Sequence, residues 1–364
     1  MGNETETRTE IKKANKDYSI SCARFIAMCF IVVCHIMQRD GFATDIGSAH
    51  IEWCYWFNVG VQMFLFVSGL LYGRKDKIDV VEFYKKSFPK LLVDYYVFII
   101  VMLMVIHWSP LMHTDRDGVI GLLTFSKTIP GFGHLWFIPT ILFCYLMVPV
   151  FSEIVKAIDA HRDVRFFGET VILICVTHFL IKYFFGYFKP AWINCFVIGM
   201  IYSRTMSREL LRKVFNILVV ISCLVITPIR FRMDYLPHGE LPKFLASRYS
   251  HFVQYGHVFL GIALVLFIRY IYNCLFKKDR EHYVLNWSDK YSYDVYLTHH
   301  IFVQSAVGCV EFISNRFIAI PLAIAFTIVA SVILYAISSY ARRGLALFAE
   351  RFLHSGDDLY HCKP

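Results

Sequence analysis

Arg24 and His35 stand eleven positions apart in the first apolar stretch of the chain, where a hydrocarbon environment makes ionisable groups costly and so marks them as candidates for function. On an α-helix, eleven steps of about 100° end roughly 20° past three full turns, so both side chains share one face. At about 1.5 Å per residue they lie roughly 16 Å apart, about half of a hydrocarbon core of roughly 30 Å. A neutral imidazole can take the proton of a hydroxyl and prepare it to attack an activated acyl carbonyl; the resulting oxyanion needs a cation or N–H donor. His35 has the chemistry of that base. Arg24 is too distant to touch the same oxyanion, but it can hold the phosphate or pantetheine portion of a long acyl donor. The alternative is a structural ion pair inside a helix bundle.

Other residues with chemical potential fall into the same two levels. Gly133-His134-Leu135-Trp136-Phe137-Ile138-Pro139 opens a later apolar window at the level of His35; Trp136 taken alone would be an ordinary interfacial aromatic. Tyr293-Asp294-Val295-Tyr296-Leu297-Thr298-His299-His300 puts two histidines inside another window, where each needs a partner or a wet cavity. His299 is taken as the inward one, with His300 against packed protein. Arg74, Lys75, Lys77, Lys85, Lys86 and Lys90 crowd around Tyr84 and Pro89, a cluster suited to nucleotide phosphates and equally to lipid headgroups. Asp94, His178, Lys182 and His257 are expected to be structural. The cysteines, Cys22, Cys29, Cys34, Cys144, Cys175 and Cys309 among them, lie almost entirely in apolar windows without a C-x-x-C, as buried thiols do. There is no zinc motif, P-loop or G-x-G-x-x-G.

The elements that must position these groups are membrane helices. With 57% hydrophobic, 17% aromatic and 18% charged residues and a mean hydropathy of +0.50, the chain is too apolar for a soluble domain. The fold class is an all-α polytopic membrane protein. Apolar windows at 19–38, 53–72, 91–110, 135–152, 169–188, 191–203, 214–229, 251–272, 291–312 and 317–340 predict about ten transmembrane helices in one bundle. The 191–203 window is the shortest, and losing it would move every later loop to the other side. About 25 Lys and Arg fall on the side of the N-terminus and about 9 on the other, which places both termini in the cytoplasm. The +9 charge is this bias facing anionic headgroups and calls for no nucleic acid. Residues 1–18 form a polar cytoplasmic segment with no signal peptide, 19–340 the transmembrane domain, and 341–364 a cytoplasmic tail. Both sequons, at Asn3 and Asn286, face the cytoplasm and are read as chance. Gly69 and Gly73 fit G-x-x-x-G packing within the chain rather than a dimer contact.

Over its whole length the chain resembles the acyltransferase-3 family of integral-membrane O-acetyltransferases. Arg24 and His35 match that family's Arg-x10-His, and Gly60-Val61-Gln62-Met63-Phe64-Leu65-Phe66-Val67-Ser68-Gly69-Leu70 its G-V-x-x-F-F-x-x-S-G-F element. His134-Leu135-Trp136-Phe137 matches H-L-W-F, and Tyr296-Leu297-Thr298-His299 matches Y-L-x-H. One stretch departs: where the family commonly has R-x-x-R-L-x-x-P-Y, this chain has Lys86, Lys90 and Asp94, so the bidentate arginine fork is lost. The resemblance implies transfer of an acetyl or other short acyl group from acetyl-CoA or another acyl-CoA to a hydroxyl of a carbohydrate or lipid-linked glycan, in a bacterial inner membrane. It implies His35, as general base, and Arg24 as the catalytic residues, Arg24, Lys86 and Lys90 as donor contacts, and His134, Trp136, His299 and Ser68 around the substrate cavity, with no metal. Two rivals remain open at this level: a transporter or flippase of glycan or lipid-linked precursor, and a membrane polymerase or ligase of glycans.

Overall fold

The computed structural model describes residues 16–46, 49–161, 164–235, 242–276 and 281–360; the sequon at Asn3 and most of the N-terminal segment lie outside them. The elements in chain order are α1 (Tyr18–Asp40), a two-stranded antiparallel hairpin β1 (Ala43–Ile46) and β2 (Ala49–Glu52), α2 (Cys54–Phe57), α3 (Gly60–Gly73), α4 (Val80–Trp108), α5 (Arg116–Leu123), a 3-10 turn (Gly133–Trp136), α6 (Phe137–Asp159), α7 (Val164–Phe184), α8 (Pro190–Thr205), α9 (Glu209–Tyr235), α10 (Lys243–Leu275), α11 (Tyr283–Val303), α12 (Cys309–Phe312) and α13 (Arg316–Tyr360).

Helix ends follow local chemistry. α1 stops at Gly41, which takes the left-handed conformation at φ +62° and returns its N–H to the Met37 carbonyl, a conformation in which glycine has no Cβ penalty. α4 and α5 begin at Asp79 and Asp115, whose carboxylates accept from the N–H groups of Glu82 and Gly118 at 2.8 and 2.7 Å, satisfying donors that have no partner within the helix. α8 begins with Pro190 at its first position, where the missing N–H costs nothing.

Each of the ten apolar windows contains or overlaps a helix. Among the described residues eight helices are long and apolar enough to cross a membrane, and α8 and α11 are not among them. α8 has only 16 residues, and α11 carries Asp289, Lys290, Asp294, His299 and His300. These two are also the most enclosed: α8 is buried from Ile193 to Ser203 without a break, and α11 from Asp294 to Ile301. A helix shielded from lipid by its neighbours does not have to be soluble in lipid itself.

Ion pairs fix which helix ends lie together. Asp17, just ahead of α1, meets Arg74 after α3 at 3.0 Å and Arg269 near the end of α10 at 3.2 Å. Burial pushes the Asp17 carboxyl up, but the Ser19 hydroxyl and the Arg269 and Arg74 charges outweigh it and hold it below its ordinary value. Arg204 at the end of α8 pairs with Asp76, and Arg208 ahead of α9 with Asp159 at the end of α6, both at 2.8 Å. At the opposite end Arg39 pairs with Glu311 of α12, and Asp40 with Arg316 of α13. The helices therefore run back and forth between two ends, and α8 traverses like the rest. α13 continues through most of the expected tail, to Tyr360.

Close packing of α3 on α8 is the centre of the bundle. A Cβ on Gly69 would meet the Phe196 backbone, one on Gly73 the Met200 backbone, and one on Gly199 the Phe66 backbone. The glycines thus let two main chains touch inside the chain. Gly199→Leu is expected to force the helices apart at a cost of about 1–3 kcal/mol or more, read as a lower monodisperse yield of detergent-solubilised protein; an unchanged yield would show that the seam tolerates a side chain.

Candidate active site

α1 presents Arg24 and His35 to α11, as the shared-face spacing requires. Arg24 donates from Nη2 to Ser292 Oγ at 3.1 Å and pairs through Nη1 with Asp289 at 3.2 Å. Asp289 also takes Lys16 at 2.7 Å and the Ser21 hydroxyl at 2.5 Å. That carboxylate holds the start of α1 against α11, and the sequence reading did not single it out. At the other end of α1, Gln304 donates to the His35 carbonyl at 2.8 Å.

Around His35 three further imidazoles gather. Its ring lies 4.6 Å from His300 and 5.2 Å from His299, and His134 stacks on His300 at 4.4 Å between centroids. Three rings each turn one nitrogen to a main-chain carbonyl: His134 Nε2 to Leu297 at 3.1 Å, His299 Nδ1 to Tyr296 at 2.7 Å and His300 Nδ1 to Gly131 at 2.7 Å. A carbonyl accepts only, so those nitrogens carry the protons and the opposite ones hold lone pairs. His35 Nδ1 faces Gln38 Oε1 at 3.2 Å, and Gln304 Nε2 points to the same oxygen. With Nδ1 the donor, His35 Nε2 keeps the lone pair that a base needs. Among the described residues no group of His, Cys, Asp or Glu is arranged to hold a metal ion.

Two cavities stand one above the other. The first, of about 420 Å³, is lined by His35, His134, His300, Gln38, Gln304, Asn58 and Trp136, among others. Its described wall contains neither a cation nor a carboxylate; neutral hydrogen-bonding groups and aromatic faces share it with aliphatic residues such as Ile31, Val61 and Ile129. The second, of about 390 Å³, is lined by Arg24, Lys75, Lys86, Lys90, Ser68, Tyr145 and Ser292, among others. It has four cations and no carboxylate among its described lining residues, the electrostatics of a polyanion site.

The structure thus divides the residues expected from sequence into two groups. His35, His134 and Trp136 line the neutral cavity; Arg24, Lys86, Lys90 and Ser68 line the basic one. The sequence points to His299 as the inward ring, but His300 is on the wall and His299 sits behind it. On a helix enclosed on nearly every side, adjacent residues can both reach a cluster although they point about 100° apart. Trp136 stacks on Trp192 of α8 at 4.0 Å. Asp94, His178 and His257 take local partners in Arg342, Tyr255 and Tyr55. Gln38, Gln304 and Asn58 had no signal in the sequence, because amides become informative only once something stands opposite them.

A family model for the acyltransferase-3 acyltransferase domain matches residues 17–336, most of the chain, and the protein belongs to that family. It is a multi-pass membrane acyltransferase. No curated protein and no solved structure matches it.

Proposed function

We propose that the protein is an O-acyltransferase that moves an acetyl or other short acyl group from acyl-CoA to a hydroxyl of a carbohydrate or lipid-linked glycan. The observation that carries this is the pairing of a basic cavity with a neutral, histidine-lined one on the same face of α1. A coenzyme A phosphate group suits the four cations, and an uncharged polyol suits the amides, imidazoles and aromatic faces. The excess of basic residues on the side of the Asp17 ion pairs supports donor entry from the cytoplasm, with both termini there.

In the reaction the acceptor hydroxyl attacks the thioester carbonyl while His35 Nε2 takes its proton. The carbon–sulfur bond then breaks, and the proton passes from His35 to the departing thiolate. Asn58, on the same wall, supplies an amide for the oxyanion. A mainly apolar groove of about 630 Å³ lined by Trp53, Trp56, Thr227, Pro228, Phe231 and Arg232 flanks α2, of which Cys54 and Tyr55 line the neutral cavity; it supports an acceptor with a hydrocarbon tail in a bacterial inner membrane.

The test is release of free CoA thiol from acetyl-CoA by the purified protein, together with mass spectrometry of surface glycans from cells with and without the gene. Release that depends on an acceptor extract, matched by an acyl mass on a glycan, is the expected result. Glycan movement without thioester consumption would overturn it in favour of a transporter.

A further inference from the structure

Among the described residues, one lines both cavities: Tyr296 of α11. The residue is only 7% exposed, and its ring stands 5.4 Å from His134, 5.3 Å from Phe137 and 5.8 Å from His299 between centroids. Its hydroxyl donates to the main-chain carbonyl of His134 in the 3-10 turn. The residue therefore stands between the lysine-lined and the histidine-lined cavity, latched at its tip to the segment that also carries His134 and Trp136. Phe137, the next residue, lines the basic cavity. The wall is thus built where α11 meets the entry to α6.

We infer that Tyr296 is the partition between the donor and acceptor sites and the residue that sets which acyl groups pass, an inference that rests on the acyl-CoA reading of the basic cavity. A thioester held by its phosphates among Lys75, Lys86 and Lys90 must bring its acyl carbon past this ring to come under His35. A two-carbon acyl group needs little room beside the ring, whereas each added methylene must fit between Tyr296, Phe137 and the histidine rings. The same wall keeps water in the neutral cavity away from the thioester until an acceptor fills it. The hydroxyl latch holds the ring in place but takes no part in the chemistry, so Tyr296 is a positioning residue.

Hydrolysis provides a measure that does not need the acceptor. Water adds to the thioester carbonyl in place of the alcohol, the carbon–sulfur bond breaks, and the proton passes through His35 to the thiolate, leaving a carboxylic acid and free CoA. Purified wild type, Tyr296→Ala, Tyr296→Leu and Tyr296→Phe would be given acetyl-, butyryl- and hexanoyl-CoA with no acceptor, and thiol release followed. Tyr296→Ala is expected to raise release from acetyl-CoA and to raise the butyryl-to-acetyl ratio by about tenfold or more, the effect one or two methylenes have in a closed pocket. Tyr296→Leu, which keeps much of the bulk, guards against a collapsed site and should fall between. Tyr296→Phe keeps the wall without the latch, so the leak rises while the length preference stays. Adding His35→Ala to Tyr296→Ala should remove the leak, because the opened path ends at that imidazole.

If Tyr296→Ala and Tyr296→Leu keep the wild-type leak and length profile while His35→Ala still abolishes transfer to a glycan, the partition is refuted and the donor site stands. If no variant or wild type consumes any thioester, and acetyl-CoA does not protect Lys86 or Lys90 from amine-reactive labelling, the donor site itself is wrong and the partition falls with it.

Discussion

His35→Ala is expected to lower acyl incorporation into the cell's glycan by about 10²–10⁴-fold, the usual contribution of a positioned general base, at matched membrane abundance. The comparison is clean because little of the fold depends on this ring. Gln304 anchors to the main-chain carbonyl of His35 rather than to its side chain, and that bond survives the substitution. The other three imidazoles keep their carbonyl partners. Each of them also holds a lone pair on the nitrogen opposite its carbonyl, so residual transfer in His35→Ala would point to His134 or His300, which line the same cavity. Undiminished incorporation by His35→Ala would defeat the assignment. Loss from His134→Ala alone, with His35→Ala active, would move the base to the 3-10 turn.

The contrast among the four histidines shows what the sequence could and could not reveal. Arg24 and His35 were legible because they are intrinsically out of place in an apolar helix and because an eleven-residue interval has an unambiguous meaning on a helix. Their common neighbour was not. That α11 is the helix they face depends on Ser292, Asp289 and Gln304 meeting α1 across about 270 residues of chain. The ten helical windows were legible by hydropathy, and the traverse of the shortest one is explained by enclosure rather than by composition. The 53–72 window reads as one span, yet the chain breaks into α2 and α3 around Asn58 and Val59. That break turns Cys54, Tyr55 and Asn58 toward the neutral cavity and leaves Trp53 and Trp56 on the groove. The hairpin at Ala43–Glu52 and the short α5 are stabilised by local pairing and capping between spans, signals too brief to stand out beside twenty-residue apolar runs. Tyr296 was visible only as part of a motif; its position between two cavities is a property of three segments that are far apart in sequence.

Arg24→Ala is expected to raise KM for acyl-CoA about ten- to a hundredfold with a smaller change in kcat, the loss of charge-assisted hydrogen bonds of about 1.5–3 kcal/mol to the donor's phosphates. Steady-state thiol release across a range of acetyl-CoA concentrations reads it directly. The structure also offers a purely architectural role, since Arg24 is one of three groups on Asp289, with Lys16 and Ser21. The two roles separate by their partners. If Arg24 only ties α1 to α11, Asp289→Asn should reproduce the Arg24→Ala phenotype, lowering abundance or thermal stability and leaving KM unchanged. If Arg24 holds the donor, Asp289→Asn frees the guanidinium from its competing carboxylate and KM should fall or stay, whereas Arg24→Ala raises it. Arg24→Lys adds a third reading: a point charge can still pair with Asp289 but lacks the planar fork that grips phosphate at two oxygens, so it should restore stability more fully than affinity. Lys86 and Lys90, which stand on the same wall, would then carry the remaining phosphate binding. Each of them alone should cost less than Arg24, because three lysines share a field that no carboxylate on that wall offsets.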